Sequence, residues 1–105
     1  MIYNLIWSPN ALKDMEKLYD FYAGINLEAA VKIYNGILDE VVILEKNPKL
    51  GPIEDTLKHR SKQYRYLVVS QGRFKALYFI GNKVIYIAGI WNCKQDISKM
   101  KAKFP

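Results

Sequence analysis

At 105 residues, half of them hydrophobic and a quarter charged, the chain has the composition of one folded globular domain, residues 1–105, and not of a disordered segment. No apolar run approaches the roughly 18 residues that a membrane span needs. The opening MIYNLIWSPN lacks the basic start, long apolar stretch and small-residue cleavage site of a secretory signal. A lone cysteine, Cys93, excludes an internal disulfide and a multi-cysteine metal centre. The expectation is a cytoplasmic protein with no metal and no cofactor.

Residues 2–7, IYNLIW, suit a buried strand. Ser8-Pro9 then marks a helix start, because serine caps and proline fits the first helical position, where its missing N–H is not needed. From Ala11, apolar residues recur at Met15, Leu18, Tyr19 and Tyr22 along one helical face, and Gly24 is the expected stop. Asn26 is a second cap, with Glu28 in the first turn where the helix dipole favours an acid. Ala30, Ile33, Tyr34, Ile37, Leu38, Val41 and Leu44 carry the helical period to about Lys46, and Asn47-Pro48 ends it. So short a link makes the two helices antiparallel neighbours.

Residues 47–63 form a long connection in which Leu50 and Ile53 are expected to tuck against the helices while Gly51-Pro52 bends. A loop of this length often has a function, and Lys58, His59, Arg60 and Lys62 crowd its second half. Residues 64–96, YRYLVVSQGRFKALYFIGNKVIYIAGIWNCKQD, then give three β-rich runs: Tyr64 to Ser70, Phe74 to Ile80 and Lys83 to Trp91. Turns at Gln71-Gly72 and Gly81-Asn82 make them an antiparallel meander. A short basic tail follows, with a helical turn or two from Asp96. The order β-α-α-β-β-β predicts an α+β fold, a two-helix hairpin packed on a curved antiparallel sheet, which the first strand joins by a long-range pairing.

The net charge of +6 is divided unevenly. Residues 1–50 hold five Lys and seven Asp or Glu, a net of −2; residues 51–105 hold eleven Lys or Arg and three acids, a net of +8. A basic sheet half points to an anionic partner, nucleic acid or an acidic protein segment. Arg65, Arg73, Lys75 and Lys94 lie on or beside the meander and are candidate binding residues, with His59 and Arg60 contributing from the loop. Arg65 and Lys75 would equally serve to keep an exposed sheet from aggregating. Trp91 offers a stacking surface or completes the core at the end of the last strand.

The segments IWSPNALKDMEKLYDFYA, LEKNPKLGP and YRYLVVSQGRFKALYFIGNKVIYIAGIWNCKQD, in this order and spacing, resemble the RelE/ParE superfamily of toxins from bacterial type II toxin–antitoxin systems. The resemblance implies a small toxin held silent by a cognate antitoxin, in hetero-oligomers of the two. It also implies one of two activities: RelE-like members cleave messenger RNA in the ribosomal A site without metal, whereas ParE-like members poison DNA gyrase by binding it. For RNA cleavage, Arg65, Lys75 and Lys94 match the places of the nuclease cations. Leu67 stands where a second lysine belongs, and no tyrosine follows Tyr86. Cleavage needs a base and an acid besides cations, and an unperturbed lysine titrates near 10.4. The incomplete set favours the ParE branch, with the nuclease and a decayed toxin that binds only its antitoxin as alternatives.

Overall fold

Two side-chain caps set the helical half of the molecule. In the computed structural model, which describes residues 2–105, a first strand β1 (Asn4–Trp7) leads to Ser8 and helix α1 (Pro9–Ala23). Ser8 Oγ accepts the Ala11 N–H at 3.1 Å. Gly24 ends α1 in right-handed helical conformation, its N–H donating to Asp20 O. Asn26, extended, accepts the Ala29 N–H and opens α2 (Leu27–Val41). Past Val41 the helix tightens to a 3-10 turn, Val42–Glu45, which Asn47 closes by donating its side-chain amide to Ile43 O. Ala11, Met15, Leu18, Ala30, Ile37 and Val41 are buried, the faces that the helical period marked.

Three strands follow the long loop: β2 (Arg65–Val69), β3 (Phe74–Ile80) and β4 (Val84–Asn92). They pair antiparallel, and the sheet order is β1-β4-β3-β2. The first strand joins parallel to β4, from Asn4↔Val84 to Trp7↔Ile87, so the sheet is mixed where a wholly antiparallel one was expected. Two helices and the loop make three passes between β1 and β2, an odd number, so β2 runs with β1; two hairpins later, so does β4.

Gln71 and Gly72 have φ of 55° and 87°, the double positive φ of a two-residue hairpin turn. Ser70 before them is also left-handed at 54°, and its N–H donates to the Glu40 carboxylate of α2. The second turn is displaced by one residue from its expected place. Ile80 pairs with Ile85, and Lys83, at φ 58°, takes the left-handed position. Within the last hairpin the register shifts: Leu77 pairs with Gly89 but Tyr78 with Ile87. Ala88 is thus an extra residue, a bulge. A short terminal helix, α3 (Met100–Lys103), follows a 3-10 turn capped by Asp96.

Both faces of the sheet are covered. Against the helices lie Val69, Phe74, Ala76, Tyr78, Ile85, Ile87 and Ile90. On the other face Leu57, Tyr64, Leu77, Trp91, Met100 and Phe104 form a second cluster under the loop and the terminal helix. Each large side chain so buried is worth about 1.5–3 kcal/mol. Leu50 and Ile53 do not tuck in; they are 50% and 41% exposed. The reason is the open edge of β2, which the loop serves with its backbone. Glu54 N–H donates to Tyr64 O and Tyr66 N–H to Pro52 O, which turns the apolar side chains between them outward.

Candidate partner-binding surface

Register decides which candidate cations can act together. Arg65 pairs with Tyr78, which faces the helices, whereas Lys75 pairs with Val68 and Trp91 on the opposite face. Successive residues of a strand alternate faces, and positions 65 and 68 are an odd number apart. Arg65 and Lys75 therefore stand on opposite faces of one sheet. A single phosphate bound on either face meets one of them.

Each is also engaged within the fold. Lys75 Nζ lies 2.9 Å from Glu54 Oε1 and 4.1 Å from the centre of the Tyr66 ring. The Glu54 side chain is 6% exposed and its second oxygen accepts the Thr56 N–H, so the lysine neutralises a buried carboxylate that also caps a 3-10 turn. Arg65 donates to Gly51 O at 2.7 Å. The same residue gives its N–H to Tyr78 Oη, which donates in turn to Pro48 O. Burial pushes the Tyr78 phenol above its ordinary value of 10.0, with the Gly51 hydrogen bond and Arg65 drawing it partly back.

The remaining candidates divide between surface and scaffold. Trp91 is 3% exposed and belongs to the second cluster, so its ring is core and offers no open face for stacking. Arg60 points at the chain's last turn, donating to Lys101 O at 2.7 Å and Phe104 O at 3.1 Å, where a cation suits the carbonyl end of a helix. His59 beside it is exposed. Arg73 is exposed and donates to Ser70 O within its turn. Its own carbonyl accepts the Cys93 N–H, which brings it to the Lys94 end of β4. Lys94 is exposed and joins no ion pair among the described residues. Desolvation lifts the Cys93 thiol above 9.0, with Lys75 opposing, so it is a poor thiolate. Thus Arg73, Lys75 and Lys94 gather at one end of the meander and Arg65 does not join them.

Sequence reasoning missed Glu54, the partner that occupies Lys75. A signal existed, since Glu54 is one of only three acids in the basic half. Lys62, marked in the basic loop but not carried among the candidate binding residues, has its Nζ 4.6 Å from the Phe79 ring centre. Among the described residues no cluster of His, Cys, Asp and Glu is placed to hold a metal ion, and no helix is long and apolar enough to cross a membrane.

Shallow grooves flank the sheet. One of about 250 Å³ runs between α1 and the end of β4, lined by Leu18, Phe21, Tyr22 and Ile90 with Asp14 and Lys103. Another lies between α2 and the Ser70 turn, with Lys32, Glu40 and Arg73 on its walls. Grooves whose walls mix apolar and charged side chains suit peptide segments more than buried small molecules.

A helical hairpin on a four-stranded mixed sheet with a basic meander is the architecture of a RelE/ParE-like toxin. Residues 5–97 match the family described as the ParE toxin of type II toxin–antitoxin systems, parDE. The chain belongs to that family: it is a ParE-like toxin. A solved chain from the chromosomal ParDE TA system of P. aeruginosa is 25% identical, with a TM-score of 0.73 over 87% of this chain and 96% of that one. No curated protein matches the sequence.

Proposed function

We propose that this toxin inhibits growth by binding, with DNA gyrase as its target in the cytoplasm, and that a cognate antitoxin neutralises it within a hetero-oligomer. One observation carries the choice of binding over cutting: Arg65 and Lys75 lie on opposite faces of the sheet, and Lys75 is held by Glu54. Of the three cations that metal-free cleavage would place on one phosphate, only Lys94 has a side chain with no partner among the described residues, and none of those beside it is fitted to take or give a proton. The exposed cations Arg73 and Lys94, together with the apolar grooves, fit an acidic antitoxin segment with leucine or isoleucine anchors.

Inducible expression in a bacterial host tests the reading. The expected result is growth arrest with intact messages and gyrase-linked DNA breaks, reversed by co-expression of the antitoxin. Codon-phased cuts in primer extension would instead establish the ribosome-dependent nuclease, and undisturbed growth would establish a decayed toxin.

A further inference from the structure

The face turned away from the helices stays accessible beyond the second cluster, at the end of β3. There Phe79 and Tyr86 are paired directly across β3 and β4, and their rings stack 5.0 Å apart at 26°. A side chain on Gly81 would come within 2.9 Å of the Tyr86 ring, so glycine is what lets this ring lie against the strand end. Lys62, Ser61, Gln63 and Arg65 complete the walls of a cleft of about 320 Å³. Among the described residues no carboxylate lines it. Lys62 has no ion-pair partner among the described residues, unlike Lys75 and Lys103.

We propose that this cleft binds one base and its phosphate from single-stranded nucleic acid. The base stacks on the Tyr86 side of the Tyr86–Phe79 pair, and the phosphate meets Lys62, whose Nζ stands 4.6 Å from the Phe79 ring centre. Aromatic planes beside a cation free of any ion pair are what single-strand binding uses, because every base has a π-face and every linkage a charge. An acidic peptide would match Lys62 and leave the paired rings without a flat partner. The site uses neither Lys75 nor Lys94, so it is separate from the cleavage set considered above. It also stands apart from the gyrase reading, since oligonucleotide binding is measured without gyrase.

The test is anisotropy of short labelled oligo-dT and oligo-rU on the purified full chain, with a duplex of equal length and a salt series. Both single strands should bind more tightly than the duplex, and the ratio between them reports whether DNA or RNA is preferred. Tyr86→Ala should weaken binding roughly 5- to 150-fold, the loss of one stacked base, while Tyr86→Phe stays near the parent. Lys62→Ala should lower the slope of log affinity against log salt by about 0.7; Lys99→Ala, the same charge change outside the cleft, should leave it unaltered. If Tyr86→Ala does not fold, the comparison of exposed Lys62 with exposed Lys99 decides alone. Equal binding of duplex, displacement by polyglutamate as readily as by oligonucleotide, full binding by folded Tyr86→Ala, or matching effects at Lys62 and Lys99 would each overturn the proposal.

Discussion

Asp14, on α1, accepts the Ile90 backbone N–H of β4 at 2.8 Å. It does so beyond the end of β1, whose pairing with β4 stops at Trp7↔Ile87. Ser8 acts likewise one step earlier, donating its hydroxyl to Ala88 O at the bulge. The helix thus takes over the sheet edge where the strand ends, with side chains in place of a ladder. The other Asp14 oxygen holds Lys103 at 2.6 Å and so ties the terminal helix to the same point.

Asp14→Ala leaves the Ile90 N–H without its acceptor and should cost about 2 kcal/mol, the scale of a lost hydrogen bond to a charged group. Lys103→Ala removes a pair whose lysine is partly in solvent and should cost less, under about 1 kcal/mol. Urea unfolding of the two variants checks the order; equal losses would mean that the ion pair, not the edge bond, is what Asp14 supplies.

Lys75→Ala should destabilise strongly, by about 3 kcal/mol, because it strands the nearly buried Glu54 carboxylate. Glu54→Gln combined with Lys75→Met should recover most of that loss. Any fall in toxicity on Lys75→Ala is therefore to be compared with this double variant before it is ascribed to contact with a target. If the single and double variants prove equally stable, the pair is not coupled.

Alkaline pH should weaken the fold through Tyr78 and Tyr64, both raised above 10.0 with burial as the larger cause. An acid with a raised native pKa holds its proton more tightly when folded. Its contribution is complete below 10 and disappears as the pH climbs through the native value. Tyr78→Phe should lessen the decline above pH 10 while costing about 1–3 kcal/mol at neutrality, since Gly51 N–H and Pro48 O lose their partner. Unfolding midpoints measured across that range check both parts.

Two glycines should respond in opposite senses. A Cβ on Gly51 would stand 2.2 Å from Tyr66 O, a backbone atom, so Gly51→Ala should cost about 3 kcal/mol and loosen Arg65. Gly36 lies inside α2 with Glu40 Oε1, at 4.0 Å, the nearest atom to an added methyl. Gly36→Ala should stabilise by about 0.8–1 kcal/mol through helix propensity. Thermal melts of the two variants, shifted down and up respectively, give the readout.

Local signals in the chain carried the fold well. Ser8, Pro9 and Asn26 act by contacts only a few residues long, so their positions suffice to place two helices. The Gln71-Gly72 turn encodes more than a hairpin. A two-residue hairpin there sets Ser70 against Arg73, and counting outward sets Val68 against Lys75, which already separates Arg65 from Lys75 by face. The parallel entry of β1, the burial of Trp91 under Met100 and Phe104, and the hold of Glu54 on Lys75 were not legible in this way. Each depends on where a segment distant in sequence comes to rest, which neither periodicity nor propensity encodes.

The pairing of Asn4 with Val84 bears on the order of events in folding. About 80 residues separate the two strands, so closing that ladder bears a large loop-entropy cost and cannot begin until β4 exists. During synthesis the helical hairpin therefore emerges first, with Met15, Ile37 and Leu44 facing no sheet. For that interval the nascent toxin is an amphipathic helix pair with its apolar side unmet, open to proteases and chaperones before it has any surface on which to hold a target.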